Sequence, residues 1–203
     1  IIPNAIQIEK FKFSAIYRKE IRKEFQIPEN QKVVGMIGIL NSFKNQKFLI
    51  EIAKELPEVT FLFVGEGPDR MTLEKNSKEF KNIIFAGHRT DIYKFYSAFD
   101  IFAFPSLFEG FPMVLLEAQN NGVIPMSFDS YPTAEKIIKS DGFDAGVLVK
   151  SFDIESYAKE LVSLCNDEAR LKAMQQNCLK KRYDYAPNIN DEKWMALFEE
   201  LLS

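Results

Sequence analysis

Six short apolar runs punctuate the chain: Val33–Ile39, Val59–Val64, Ile83–Ala86, Ile101–Phe104, Val123–Phe128 and Gly146–Val149. Each is too short for a helix and is bounded by polar, Gly or Pro residues, so each reads as a buried strand. Between them the apolar residues recur at helical spacing, over Phe48–Leu56, Met71–Phe80, Asp91–Ala98 and Met113–Asn121. Further helices are predicted at 153–165, 167–183 and 190–202. Ser14–Phe25 reads as a surface helix with Ile16, Ile21 and Phe25 on one face. Strands that alternate with helices build βαβ units, hence an α/β fold with a doubly wound parallel sheet of about six strands. Such sheets bind ligands at the carboxyl ends of their strands. Three loops fall there: Ile39–Asn45, Gly65–Asp69 and Ser106–Met113.

The bulk properties narrow the function classes. With 203 residues, 46% of them hydrophobic, the chain can bury one sizeable core. A net charge of −3 argues against a nucleic-acid partner, which would call for a basic face. Nineteen Phe residues point to a packed aromatic core. Two cysteines, Cys165 and Cys178, without metal-ligand neighbours fit a reducing, cytoplasmic setting. No apolar run reaches transmembrane length and no signal peptide is visible. The opening IIPNAI lacks an initiator Met, so a fragment of a longer chain is expected.

The richest stretch is Phe104–Ala118, FPSLFEGFPMVLLEA. A strand ends at Pro105-Ser106, a short loop carries Glu109-Gly110-Phe111-Pro112, and a helix begins. Pro112 suits the first helical position, where no N–H is needed. Gly110 allows a tight turn and a close approach of ligand to backbone. Glu109 lies in the loop, and Glu117 about a turn and a half into the helix. The free N–H groups of the helix start between them form an anion site. That set suits a ligand with both hydroxyls and phosphate. The alternative from spacing is that Glu109 caps the helix and Glu117 is solvated.

EGFPMVLLEA resembles the Glu-x7-Glu motif of retaining GT-B glycosyltransferases of family 4, and the resemblance runs from about Pro3 to the C-terminus. It covers the second, donor-binding half of such enzymes, a Rossmann-like domain. The resemblance implies a nucleoside diphosphate sugar (UDP- or GDP-sugar) as substrate and no cofactor. It implies transfer to an acceptor hydroxyl with retention of configuration, in capsule, exopolysaccharide or lipopolysaccharide synthesis. The acceptor, a glycan or lipid-linked glycan, would be held by a missing N-terminal domain, so this chain alone is expected to bind donor without turnover. The full-length enzyme would be cytoplasmic, with peripheral attachment at the inner face of the membrane left open. Residues 1–13 read as the interdomain linker, 14–185 as the nucleotide-sugar domain, and 186–203 as a helix that crosses back toward the other domain. Part of the stripe Trp194, Leu197, Phe198, Leu201 and Leu202 would then be exposed.

By the same resemblance Glu109 contacts the transferred sugar and is the catalytic candidate, and Glu117 accepts from the ribose hydroxyls. Gly110, Phe111, Pro112 and Met113 complete that side of the donor site. The family loop after the first strand carries Gly-Arg and then a Lys. Gly38 and Lys44 match, whereas Ile39 stands at the Arg position. Lys44 could neutralise a diphosphate, or be an ordinary surface lysine. Gly65 opens a Gly-x-Gly-Pro turn that the family places beside the nucleotide. The resemblance implies that His88 and Arg89 border the base without chemistry; the alternative for His88, the lone histidine, is a structural role. Glu135 stands where the family often has a Glu, or is a plain surface residue. No metal site is expected, since no Asp-x-Asp and no His/Cys cluster exists. The rival reading is a non-catalytic nucleotide- or phosphate-binding regulatory module.

Overall fold

The computed structural model describes residues 2–140 and 142–202. Eight strands and nine α-helices are formed by these residues. The strands are β1 (Val33–Ile37), β2 (Thr60–Val64), β3 (Ile83–Gly87), β4 (Ile101–Phe104), β5 (Ile124–Phe128), β6 (Lys139–Ser140), β7 (Phe143–Asp144) and β8 (Val147–Val149). The helices are α1 (Ala15–Glu24), α2 (Gln46–Lys54), α3 (Arg70–Ser77), α4 (Ile92–Ala98), α5 (Met113–Asn120), α6 (Pro132–Ile138), α7 (Ile154–Asn166), α8 (Glu168–Lys181) and α9 (Pro187–Leu202). A 3₁₀ turn, Arg182–Tyr185, joins the last two.

Six strands form one parallel sheet in the order β3-β2-β1-β4-β5-β8. The doubly wound architecture is therefore the one expected. Every residue of β1, β2, β4 and β5 is buried, because helices cover both faces, whereas β3 at the edge is only partly covered. Aromatic side chains fill the layers. Phe102 stacks on Phe104, and Phe48 of α2 meets Phe128 of β5 and Tyr157 of α7. The chain leaves β1 toward β2 and leaves β4 toward β5. These two adjacent strands, paired at Val34–Ile101, thus flank the topological switch point.

Several local expectations are corrected. The first strand stops at Ile37 rather than Ile39, and Ile39 is exposed. Ile16 of α1 is exposed as well, while the charged Arg22 is 1% exposed. The antiparallel ribbon β6–β7 has no counterpart in the sequence reading, because two-residue strands leave no periodic signal. The last helix starts at Pro187, three residues earlier than expected. Its apolar side chains Trp194, Phe198, Leu201 and Leu202 are exposed, and no residue of α9 is buried. Residues ahead of α1 pack on the domain. Ile6 and Phe11 are buried, and Asn120 and Asn121 donate side-chain N–H groups to the carbonyls of Ile8 and Phe11. The outer ends of the expected linker and C-terminal segment, Ile1 and Ser203, lie outside the described residues.

Arg22 is buried because Asp100 receives it. The Asp100 carboxylate accepts from Arg18 and Arg22 at 3.0 Å each and from the Val33 amide at 2.8 Å. Arg22 also donates to the carbonyls of Pro28, Glu29, Gln31 and Ala98. This cluster pins α1 to the amino ends of β1 and β4. Removing one partner leaves a buried, uncompensated charge. Asp100→Ala should lower stability by about 3–5 kcal/mol in urea unfolding. A loss below about 1 kcal/mol, the range of a surface pair, would contradict this account.

Candidate functional site

The loops at the carboxyl ends of β1, β2 and β4 are fastened to one another. Gly38 donates its N–H to the Val64 carbonyl, and Leu40 to the Glu66 carbonyl. Leu107, after β4, donates to the Phe43 carbonyl at 2.9 Å. Gly65 has a φ of +141°, and a Cβ there would lie 1.9 Å from the Gly38 carbonyl oxygen. A Cβ at Gly67 would lie 2.2 Å from the Leu40 carbonyl oxygen. The Gly-x-Gly turn is therefore required by the approach of the first loop, whatever else it contacts.

Across the switch point, Lys44 reaches Glu109. The Lys44 Nζ lies 2.5 Å from Glu109 Oε1 and 5.0 Å from the centre of the buried Phe104 ring. Ser106, itself fully buried, donates its hydroxyl to the same oxygen at 2.6 Å. Ser130 donates to the Ser106 carbonyl and Thr133 to the Gly110 carbonyl, so the loop after β5 and the first turn of α6 brace the Glu109 loop. Behind it, buried Tyr131 shares a 2.6 Å hydrogen bond with Ser127. Burial pushes the Tyr131 phenol up, and the charge of Glu109 adds to the rise.

Helix α5 begins at Met113 with no side-chain cap. Pro112 is its extended N-cap residue, with φ −77° and ψ 91°, not the first helical residue as the sequence suggested. Gly110 needs no left-handed φ, so the tight-turn argument for it fails; a Cβ there would meet no atom within 4 Å. The space beside its Cα is therefore open. Phe111 packs against Tyr185. Glu109 does not cap the helix, and Glu117 is only partly exposed. The fully buried Tyr96 donates its hydroxyl to Glu117 Oε2 at 2.6 Å. Burial raises the Glu117 carboxyl above its ordinary range, opposed by the Tyr96 hydrogen bond and by Lys10. Burial and the charge of Glu117 in turn push the Tyr96 phenol up.

The remaining expected residues sit around a shallow cleft of about 350 Å³ between the loops of β1, β2 and β3. Gly38, Ile39, Gly65, His88 and Arg89 line it. His88 is exposed. Arg89 is held by Asp91 at 2.9 Å and by Glu24, with its guanidinium over the Phe95 ring. It therefore serves to tie α1 to the base of α4. Glu135 is a surface residue paired with Lys139. Among the described residues no cluster of three His, Cys, Asp or Glu side chains could hold a metal ion. No helix among them is long and apolar enough to cross a membrane. Ser106 and Tyr96, which orient the two glutamates, were not anticipated. Ser106 had a signal in its place three residues before Glu109 at the strand end, whereas Tyr96 on a separate helix had none.

A larger cavity, about 640 Å³, lies on the opposite rim beside Arg18, Lys32 and Asp100. Those residues stand at the amino ends of the strands; Arg18 and Asp100 are bound into the structural cluster above, and Lys32 is paired with Glu168. The carboxyl rim instead brings Lys44 and Glu109 beside the uncapped start of α5.

Residues 17–181 match the family described as "Glycosyl transferases group 1". The chain belongs to the group 1 glycosyl transferases. It is 32% identical, over 89% of its length, to the UDP-Gal:alpha-D-GlcNAc-diphosphoundecaprenol alpha-1,3-galactosyltransferase of Escherichia coli, and covers 48% of that protein. The fold matches the Anabaena protein HepE, solved with UDP and glucose, with TM-score 0.83 and 22% identity, over 97% of this chain and 55% of that one. It also matches the C-terminal domain of the group 1 family protein LpcC from Francisella tularensis, with TM-score 0.75 and 25% identity, over 90% of this chain and 99% of that domain. The chain thus spans about half the length of the curated relative quoted, and its fold is the Rossmann-like one of GT-B glycosyltransferases.

The raised Glu117 carboxyl gives a signed pH dependence. A carboxyl whose folded pKa is raised contributes stability present below the ordinary range and lost as pH rises through the raised value. Glu117→Gln keeps an acceptor for Tyr96 and removes the charge. The variant should gain on the native protein as pH goes from about 4 to about 7. Parallel stability curves over that range, measured by urea unfolding, would contradict the assigned burial of Glu117.

Proposed function

We propose that this chain is the donor-binding half of a retaining glycosyltransferase that acts on a nucleoside diphosphate sugar in bacterial surface-polysaccharide synthesis. The observation that carries the reading is the meeting of Lys44 and Glu109 at the switch point, beside the uncapped start of α5. One cation and a helix N-terminus suit a diphosphate. One carboxylate beyond it suits sugar hydroxyls. Glu117, with one oxygen held by Tyr96, offers the other to ribose hydroxyls. His88 and the cleft beside it offer room for the base. Catalysis on this reading consists of holding the donor and stabilising the leaving diphosphate, with no metal and no cofactor. UDP is favoured over GDP, because the E. coli relative is named for UDP-Gal and HepE was solved with UDP. The acceptor, a glycan or lipid-linked glycan, would be bound by an N-terminal half. Residues 1–13 would lead in from that half, and the exposed apolar side chains of α9 would return to it.

Calorimetry on the 203-residue chain tests this reading. Lys44→Ala should weaken UDP by roughly 1–3 kcal/mol. Glu117→Ala should weaken UDP and a UDP-sugar alike, by roughly 1.5–3 kcal/mol. Unchanged affinity in both variants would leave the non-catalytic phosphate-binding module as the better description, or no nucleotide site at all.

A further inference from the structure

The ion pair between Lys44 and Glu109 sets the two halves of the proposed donor site against each other. Both side chains are mostly covered, at 21% and 13% exposure, so water screens the pair only partly. Neither has an easy substitute partner. Arg70 and Arg89, on the neighbouring loops, are each held between two carboxylates, Glu66 with Glu74 and Glu24 with Asp91. Ile39 adds no charge. Among the described residues of the loops after β1 to β4, Lys44 is the cation not held between two carboxylates, and Glu109 already neutralises it.

We infer that Glu109 makes the site prefer a loaded donor to the spent nucleotide. The inference rests on the donor-site reading above and adds a discrimination to it. In the empty site, Glu109 and Lys44 satisfy each other. A bare diphosphate that draws Lys44 to itself leaves Glu109 with only the Ser106 hydroxyl, in a covered position and next to new negative charge. That cost opposes binding. A donor brings the same diphosphate together with sugar hydroxyls, which donate to the freed carboxylate and offset the cost. Once the sugar has been transferred, the hydroxyls leave with it. Glu109 then competes again for Lys44 and favours release of the nucleotide. Ser106 holds Glu109 Oε1 throughout, so the carboxylate stays beside Lys44 and does not swing into water.

The test is a calorimetric comparison of UDP with UDP-glucose and UDP-galactose on the native chain, Glu109→Gln, Lys44→Met and the double variant, each checked for its unfolding midpoint. Glu109→Gln should bind UDP more tightly, by roughly three- to tenfold, the range for releasing one partner of a half-screened pair. It should bind the preferred UDP-sugar no more tightly than the native chain does. In the Lys44→Met background, Glu109→Gln should lose most of its effect on UDP. If native protein binds UDP and Lys44→Met weakens it, while Glu109→Gln leaves UDP unchanged or weaker, the discrimination is wrong and the donor-site reading stands. If Glu109→Gln tightens UDP equally with and without Lys44, the pair is not its cause and the inference is overturned. If the native chain binds none of the three ligands, the UDP donor-site reading fails and this inference falls with it.

Discussion

Two adjacent parallel strands whose chains leave in opposite directions create the opening on which everything else in this molecule depends. At β1 and β4 the crossovers part, and the loops above them cannot be covered by the connections that follow. The sheet itself is featureless there, because its central strands are apolar and buried throughout. Polar chemistry can therefore reach the core edge only through the loops. Lys44 comes from one and Glu109 from the other, and each sits where the switch point leaves room. The opposite rim is closed by different means. There Asp100 draws two arginines and a strand amide into one cluster that holds α1 in place.

The glutamates owe their different environments to the elements that carry them. Glu109 is in a loop, held by a lysine and a serine, both from carboxyl-end loops. Glu117 is inside a helix, half sunk against Tyr96, which in turn packs against Phe11 ahead of α1. The first glutamate is thus tied to charge and the second to burial. This difference is the physical basis for the separate parts proposed for them.

Much of the fold was legible because parallel strands buried on both faces are written as continuous apolar runs. Ile101–Phe104 and Val123–Phe128 needed no more than that. The errors fall where local rules met tertiary ones. Arg22 reads as a surface charge until Asp100, 78 residues away, is known to lie beside it. Pro112 favours the first helical turn by its ring, yet it adopts an extended ψ as the N-cap residue, at the end of a loop whose Gly110 carbonyl is tied to Thr133 of α6. The site was legible in part. Glu109, Glu117 and Lys44 were identifiable from motif and resemblance, but their partners were not. The pairing of Lys44 with Glu109 joins positions 65 residues apart, and the hydroxyl of Tyr96 comes from a helix that carries no motif.

The central claim is that the carboxyl rim, rather than the larger cavity at the amino rim, is the nucleotide site. Amide chemical-shift mapping of the isotopically labelled chain during a UDP titration tests it directly. The account predicts that the shifts concentrate on the loops around Gly38, Gly65, His88 and Gly110 and on the first turns of α5. Shifts concentrated instead around Lys32, Asp100 and Gly122 would contradict it.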